Sequence, residues 1–217
     1  MRAAEPWERK DAEVDKDARI YVAGGGTLIG SAILGELERR GFRNLAGRPG
    51  SEPDLSRSEE VDSFFRHFRP QFVFAAGGRT GGIGANLDHP AGLMLDNLLA
   101  QCHLFESAFR HGTGKLLFLA SSCCYPRNCP QPMREEYLLT GPLEPSSEAY
   151  ALAKLSGIKL CQAYRRQYRV DFISAICGDC FGPGDDFSPK NAHVVPALMA
   201  RMHQALLKGE GRVVIWG

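Results

Sequence analysis

The 217-residue chain lacks long apolar runs and has almost no net charge. No segment approaches the roughly 20 apolar residues that cross a bilayer, and residues 1–18 are charged where a secretory signal would be apolar. With 26 Lys and Arg against 25 Asp and Glu, the net charge is +1, and no basic stripe with interleaved aromatic residues is present. These absences predict a cytoplasmic protein that binds neither membrane nor nucleic acid, with residues 1–18 as a flexible tail.

Patterns typical of metal and disulfide sites are also incomplete. The chain has seven cysteines, and an odd number without a secretory signal argues against a disulfide framework. Cys177 and Cys180 form one C-x-x-C pair, but neither a second pair nor paired histidines completes a zinc site. We therefore predict no metal site, and we expect most of the thiols to be small buried apolar residues.

What the sequence does contain is a regular alternation of strand and helix patterns. Strand patterns cover residues 19–23, 43–46, 71–76, 115–120 and 171–176, and helical patterns cover 31–40, 58–68, 94–111 and 147–168. Apolar strands separated by helices predict an α/β fold, a doubly wound parallel sheet of the Rossmann type over residues 19–180. Right-handed crossovers would bring the strand ends to one carboxyl edge, where such sheets bind ligands. These ends are Gly24, Gly77, Ser121 and Cys177.

A glycine-rich turn between the first strand and the first helix indicates a dinucleotide cofactor. Small residues there let the backbone approach a pyrophosphate that rests on the helix N-terminus. A glycine run alone is often only a turn, but its placement directly between a strand and a helix is much more specific. We predict cofactor contacts from Gly24, Gly26, Thr27, Leu28, Ile29 and Gly30.

The residues after the second strand indicate which dinucleotide binds. A domain that prefers NAD usually ends this strand with an acid, which binds the ribose 2′-hydroxyl. Here Gly47 and Arg48 follow the strand, and the acids Glu52 and Asp54 come later. Because a guanidinium suits a 2′-phosphate, we predict that Arg48 helps to bind NADP(H). The alternative is that Arg48 is a solvated loop charge.

Tyr150 and Lys154 lie one helical turn apart and indicate proton-transfer chemistry. A lysine ammonium there stabilises the tyrosine phenolate, because the ordinary tyrosine pKa of about 10 is too high for proton transfer near neutrality. Ser121, just after the fourth strand, can hold a carbonyl oxygen while the tyrosine exchanges its proton. Beside a hydride carrier, these groups would interconvert a ketone and a secondary alcohol. We predict all three as catalytic, with Tyr150 and Lys154 also contacting the cofactor; the alternative is a chance Y-x-x-x-K pair on a helix surface.

Several longer segments resemble one enzyme family. They are residues 81–86, 117–126, 131–133, 143–145 with 150–161, 181–183 and 191–198. On these segments the chain resembles the extended short-chain dehydrogenase/reductase family, the NAD-dependent epimerase/dehydratases, and within it the GDP-L-fucose synthase subfamily. The resemblance implies an NADPH-dependent epimerase-reductase that converts GDP-4-keto-6-deoxy-mannose to GDP-L-fucose and forms a homodimer.

The resemblance also implies roles for further residues. In the family a cysteine and a histidine act as acid and base for epimerisation beside the 4-keto group, and the matching residues are Cys123 and His193. A thiol and an imidazole suit proton exchange near neutral pH, although His193 taken alone would be read as a loop histidine that caps the next helix. Substrate contacts are implied for Arg201, Asn191 and Asp179.

Three departures from the family pattern give specific expectations. Thr27 stands where the family has its middle glycine, and a threonine adds a β-carbon near the pyrophosphate and resists a positive φ. Cys177-Gly178-Asp179 replaces a Pro-Thr-Asn stretch that borders the nicotinamide and the substrate. Relatives continue beyond Gly217, so residues 181–217 are expected to be the start of a truncated substrate-binding region.

Two alternatives remain open for the function. One is another nucleotide-sugar 4-ketoreductase or 4-epimerase of the same family, which would use Tyr150 without the pair of Cys123 and His193. The other is a non-catalytic NADP-binding fragment, which Thr27 and the truncation favour.

Overall fold

The computed structural model describes residues 14–188 and 192–215 of the chain. Within these residues, five parallel strands form one sheet: β1 (Ile20–Ala23), β2 (Leu45–Ala46), β3 (Phe72–Ala75), β4 (Lys115–Ser121) and β5 (Asp171–Cys177). The helices are α1 (Leu28–Arg39), α2 (Ser58–Phe68), α3 (Ile83–Asp88), α4 (Pro90–Arg110), α5 (Glu148–Tyr168) and α6 (Val194–Leu207). The predicted doubly wound parallel α/β fold is confirmed.

The two faces of the sheet carry separate apolar cores, because alternate strand residues point to opposite sides. Tyr21 and Ala23 of β1 belong to the larger core, together with residues of α2, α4 and α5. Ile20 and Val22 belong to a smaller core, in which α1 contributes Leu34 and Leu37. Helices therefore pack on both faces, as apolar parallel strands require.

The strand order β2-β1-β3-β4-β5 places the reversal of the chain beside β1. From β1 the chain first moves outward to β2 and then returns to β3 on the other side of β1. This arrangement opens a crevice between the carboxyl ends of β1 and β3. Gly24 and Gly77 lie just beyond these two strand ends, and a β-carbon on Gly24 would stand only 2.3 Å from Gly77 Cα. Backbone atoms of Gly24 and Gly77, without side chains, therefore line this part of the crevice.

The helices near this crevice begin earlier than the sequence patterns indicate. α1 begins at Leu28 rather than at residue 31, because the Thr27 hydroxyl caps it by accepting a hydrogen bond from Gly30 N. α4 begins at Pro90 rather than at residue 94, since proline fits the first turn of a helix. The glycine-rich segment after β3 leads into the short helix α3.

The segment before β1 packs partly against the domain. Ala18, which falls within the predicted tail, is 3% exposed, and Asp17 forms a bidentate ion pair with Arg43. Residues 1–13 of the predicted tail lie outside the described residues. The folded part of the chain therefore includes residues just before β1.

The part of the chain that the structure describes contains no helix long and apolar enough to cross a membrane. In the same residues, no group of three or more His, Cys, Asp or Glu side chains is arranged to hold a metal ion. The seven cysteines are free thiols, but only Cys124 and Cys161 are buried among apolar residues. The expectation that most of the thiols are buried is therefore wrong.

Candidate active site

The turn after β1 keeps its backbone accessible to a ligand. Gly24 has a φ of +79°, a conformation that residues with a side chain rarely adopt. A β-carbon on Gly25 would stand 2.0 Å from the Gly47 carbonyl oxygen, and one on Gly30 would stand 2.0 Å from the Gly24 carbonyl oxygen. Only glycine fits these three positions, and the turn leads into the N-terminus of α1, where a phosphate binds well. The geometry fits the pyrophosphate of a dinucleotide. The other predicted cofactor contacts lie in the same turn and the first residues of α1: Gly26, Thr27, Leu28 and Ile29.

Thr27 is accommodated in a way that the sequence does not indicate. Its φ is −79° and its ψ is 164°, so the backbone is extended and no positive φ is needed. The hydroxyl donates to the Gly24 carbonyl oxygen at 2.7 Å and accepts from Gly30 N at 3.1 Å. The expected conflict with a positive φ is therefore wrong, because Thr27 closes the turn and caps α1.

The end of β2 has no space for the acid that NAD-binding domains use. Gly47 has a φ of +108°, and a β-carbon there would stand 1.9 Å from the Val22 carbonyl oxygen. Arg48 follows, is exposed, and forms an ion pair with Glu38 of α1. An exposed pair of this kind contributes about 0–1 kcal/mol, so a bound anion can readily replace Glu38 as the partner of Arg48. A guanidinium at this place suits a 2′-phosphate.

Ser121, Tyr150 and Cys123 meet at the carboxyl ends of β4 and β5. Ser121 is the last residue of β4 and pairs in register with Cys177, the last residue of β5. The Ser121 hydroxyl lies within hydrogen-bonding reach of the Tyr150 phenol. Ser121 Oγ also accepts the Cys123 backbone N–H at 3.3 Å. The structure therefore brings Tyr150 of α5 to Ser121 and Cys123, which lie in an earlier part of the sequence.

Lys154 is a buried cation within this cluster. It is 5% exposed, its Nζ donates to the Leu119 carbonyl oxygen at 3.3 Å, and Nζ lies 5.9 Å from the centre of the Tyr150 ring. Burial lowers the pKa of Lys154 to about 8, because an environment of low polarity disfavours the ammonium form. Near neutral pH the side chain therefore still carries its charge close to the Tyr150 ring.

The Tyr150 phenol is held in its protonated form. Burial raises the pKa of this group above its ordinary value, and the Cys123 and Cys124 thiols add to the rise, while the Ser121 hydroxyl opposes it. Burial thus outweighs the phenolate stabilisation that the spacing of Tyr150 and Lys154 suggests. A protonated phenol is the form that can donate a proton to a ketone oxygen during reduction.

Asn97 of α4 lies in the same buried region, although it belongs to none of the sequence motifs described above. Its side chain is 2% exposed, and its Nδ2 donates to the carbonyl oxygens of Arg79 and Leu93 at 2.8 and 2.7 Å. Its Oδ1 has no hydrogen-bond partner within the described residues. A β-carbon on Gly78 would stand 2.3 Å from this oxygen and 3.5 Å from Lys154 Nζ. An open acceptor therefore lies near the lysine ammonium, and its only sequence signal is a polar residue in the apolar stripe of a helix.

His193 and Asp179 lie at the surface rather than in this cluster. His193 directly precedes α6 and is exposed, and its side chain makes no capping hydrogen bond to the helix. His193 therefore occupies the N-cap position of α6, as the alternative interpretation expects, but it caps the helix with its backbone alone. In the described part of the chain, no hydrogen bond or ion pair joins His193 to Cys123. Asp179 is exposed in the segment that follows β5.

Arg201 lies on α6, away from the glycine turn. Its Nη1 donates to the Val214 carbonyl oxygen at 3.4 Å, and the side chain lines a cavity of about 500 Å³ together with Lys208 and Arg212. Glu210 lines the same cavity, so three cationic side chains face one acid, an excess of positive charge that suits an anionic ligand such as a nucleoside diphosphate. Asn191, the remaining predicted substrate residue, lies outside the described residues.

The fold and the site define a dinucleotide-binding α/β protein with a serine, a tyrosine and a lysine at the carboxyl edge of its sheet. The model of the NAD dependent epimerase/dehydratase family matches residues 20–217. The chain belongs to this family, as its sequence motifs predict.

Relatives of known name make the likeness more specific. The chain is 49% identical over 203 residues to GDP-L-fucose synthase 1 of Arabidopsis thaliana, an alignment that covers 94% of this chain and 63% of the plant protein. Among solved structures, a GDP-L-fucose synthetase from Naegleria fowleri bound to NADP has a TM-score of 0.82 at 26% identity, and covers 94% of this chain and 67% of its own. A GDP-mannoheptose C4 reductase from Campylobacter jejuni with NADP bound has a TM-score of 0.82 at 32% identity, over 91% of this chain and 58% of its own. The chain spans about 63% of the length of the plant relative.

Proposed function

We propose that this chain forms the cofactor-binding and catalytic part of an enzyme that converts GDP-4-keto-6-deoxy-mannose to GDP-L-fucose with NADPH. The observation that carries the proposal is the cluster of Ser121, Tyr150 and Lys154 on the same sheet edge as a glycine turn that fits a pyrophosphate. The 49% identity to a GDP-L-fucose synthase supports the choice of substrate.

The side chains of the cluster account for the proton chemistry of a ketone reduction. NADPH, when bound, supplies the hydride. Ser121 holds the ketone oxygen by a hydrogen bond, and Tyr150, protonated because it is buried, gives its proton to that oxygen. The Lys154 ammonium then stabilises the phenolate that remains on Tyr150. Asn97 Oδ1 is a buried hydrogen-bond acceptor near the Lys154 ammonium.

Epimerisation requires a group that exchanges protons at the carbons beside the ketone. The ketone acidifies these C–H bonds. Cys123 binds the Ser121 hydroxyl through its backbone N–H, and its thiol is near enough to Tyr150 to raise the pKa of that phenol. His193, on the segment that leads from β5 to α6, is the proposed second group, since a neutral or protonated imidazole can serve as base or acid near neutral pH. Contacts to the nucleotide-sugar are proposed for Arg201, Asn191 and Asp179.

The proposed reaction is tested by supplying the whole protein with NADPH and GDP-4-keto-6-deoxy-mannose. We expect NADPH to be consumed and the product to be GDP-L-fucose, identified by the configuration of its sugar. Product formation without a change at the carbons beside the ketone would assign the protein to the simple 4-ketoreductases. A protein that binds NADPH but does not consume it would contradict both enzymatic assignments.

A 4-ketoreductase without epimerase activity is the second candidate function. It is favoured by the exposed position of His193, which makes no hydrogen bond or ion pair with Cys123 within residues 14–188 and 192–215. The similarity to a C4 reductase from Campylobacter jejuni favours it as well. The cluster of Ser121, Tyr150 and Lys154 serves this reaction equally, so the loss of NADPH does not separate the two candidates, whereas the stereochemistry of the product does.

The preference for NADPH is predicted to depend on Arg48. We expect NADPH to bind more tightly than NADH. Arg48→Ala should weaken NADPH binding by about tenfold and leave NADH binding nearly unchanged, because only NADPH carries the 2′-phosphate. Both affinities are measured by the fluorescence of the reduced cofactor. Arg57→Ala is the matched control, since Arg57 is an exposed arginine of the same connection that pairs with Glu60. Equal affinities for the two cofactors in the unaltered protein would contradict the assignment of Arg48.

The surroundings of the reaction are also part of the proposal. We propose that residues 181–217 begin a substrate-binding region, because this segment carries α6 and the cationic cavity.

Homodimer formation through α4 and α5 is proposed because Leu95 and Leu152 leave apolar surface on these helices, with exposed fractions of 56% and 40%. A cytoplasmic location fits the seven free thiols, which a reducing compartment preserves.

A further inference from the structure

Glu52 lies in the connection between β2 and α2, yet its carboxylate reaches the glycine turn after β1. It accepts a hydrogen bond from Gly24 N, and the Gly25 N–H lies within reach of the same carboxylate. The Tyr21 hydroxyl donates to Glu52 Oε1 at 3.4 Å. Three donors from β1 and its turn therefore converge on one side chain from a distant part of the sequence.

The carboxylate of Glu52 is stabilised by these donors rather than by a cation. Within the described part of the chain, Glu52 forms no ion pair with Lys, Arg or His. Burial raises the pKa of its carboxyl group, and the hydrogen bonds from Gly24, Tyr21 and Gly25 oppose that rise. Because an ionised carboxylate away from water is costly unless it is hydrogen-bonded, the side chain and the turn depend on each other.

Tyr21 holds this arrangement against the core of the domain. Its side chain is completely buried, and its ring packs against Phe64 and Phe65 of α2 with ring centres 4.5 and 5.8 Å apart. The Tyr21 hydroxyl is therefore a fixed donor beneath Glu52. The carboxylate can bridge the rigid strand β1 and the turn that follows it.

The turn needs such a bridge because its own residues do not define one conformation. Gly24, Gly25 and Gly26 are consecutive, and glycine has access to more backbone conformations than any other residue. Thr27 fixes the far end of the turn through Gly24 O and Gly30 N. Glu52 fixes the near end through the N–H groups of Gly24 and Gly25, and these donors are then committed to the protein itself.

We propose that Glu52 is a positioning residue for the dinucleotide, which holds the glycine turn in the conformation that receives the pyrophosphate. The inference rests on the proposed NADPH-dependent function and adds to it a residue that acts through the turn. It implies that the phosphates use N–H groups further along the turn, toward the N-terminus of α1.

Glu52→Gln tests this role, because it keeps the shape of the side chain and replaces one acceptor oxygen by a donor NH₂ group. We expect NADPH to bind about tenfold more weakly, since a backbone N–H then faces another donor. In the whole protein the KM for NADPH should rise, while kcat at saturating NADPH stays within about twofold. Hydrogen exchange should become faster at the Gly24 and Gly25 amides and remain slow in β1. Tyr21→Phe removes one donor to Glu52 and leaves the turn amides paired, so NADPH binding should weaken less in this variant than in Glu52→Gln.

The possible results separate this role from simpler ones. Unchanged NADPH affinity and unchanged amide exchange in Glu52→Gln would overturn the proposal, and tighter binding would show that the carboxylate only repels the phosphates. If Glu52→Gln does not fold, Glu52→Asp is measured in its place. NADPH should again bind more weakly, because the shorter side chain no longer reaches the turn amides. Unchanged affinity for NADPH in this variant would overturn the proposal. If the unaltered protein does not bind NADPH, the proposed function fails, whereas the exchange of the Gly24 and Gly25 amides still decides the role of Glu52.

Discussion

Replacing Tyr150 with phenylalanine is expected to lower ketone reduction by about 10²–10⁴-fold while NADPH binding persists. The change removes only the hydroxyl that lies beside Ser121 and leaves the half-buried ring in place. Lys154 keeps its hydrogen bond to the Leu119 carbonyl oxygen, so the surroundings of the cofactor are little altered. Turnover of the 4-keto sugar in the whole protein, and NADPH fluorescence, measure the two quantities separately.

Tyr164→Phe is the matched control for this prediction. Tyr164 lies on the same helix as Tyr150, but its hydroxyl donates to Glu106 at 3.0 Å on an exposed side of the domain. Loss of the Tyr164 hydroxyl should leave turnover within about twofold of the parental rate, as is usual for substitutions at the surface. Reduction at a near-normal rate by Tyr150→Phe would remove Tyr150 from the role of proton donor, and with it the central step of the proposed chemistry.

The main part of this site follows from patterns that are local in the sequence. The period of the apolar residues distinguishes strands from helices, and the alternation of the two predicts a parallel sheet. In such a sheet all carboxyl ends share one edge. Ser121 at the end of β4 and Tyr150 at the start of α5 therefore meet, as the register of Ser121 with Cys177 and the neighbourhood of Tyr150 show.

Features that depend on contacts between distant segments could not be predicted in this way. Gly47 must be glycine because of the Val22 carbonyl oxygen, and nothing in the residues around Gly47 reveals that contact. Glu52 follows β2, and its position in the sequence is that of an ordinary acid in a loop. Only the structure shows that its carboxylate reaches the glycine turn. Asn97 has an unpaired oxygen near Lys154, and only the packing of α4 shows this. The sequence predicts that Thr27 conflicts with a positive φ, but in the structure Thr27 is extended and caps α1.

Cys123→Ser is expected to separate epimerisation from reduction. The Cys123 thiol is near enough to Tyr150 to raise the pKa of its phenol. A serine hydroxyl keeps the shape of the thiol but is far less acidic, so it is a poor base near neutrality. Solvent deuterium exchange at the carbons beside the ketone should fall by about 10²-fold or more, as for the loss of a positioned acid or base. Hydride transfer should continue, because Ser121, Tyr150 and Lys154 are unchanged. The expected product is a deoxy sugar with its original configuration beside the reduced carbon.

Cys102→Ser is the control for this experiment, because Cys102 is an exposed thiol on α4 with no part in the proposed chemistry. It should exchange deuterium at the parental rate. If Cys123→Ser also exchanges at that rate, the Cys123 thiol is a packing group and the protein is better described as a 4-ketoreductase. If exchange falls in Cys123→Ser and likewise in His193→Asn, both groups act on the same carbons. The exposed imidazole before α6 must then approach the substrate when the sugar binds, because no hydrogen bond or ion pair joins it to Cys123 in the residues that the structure describes.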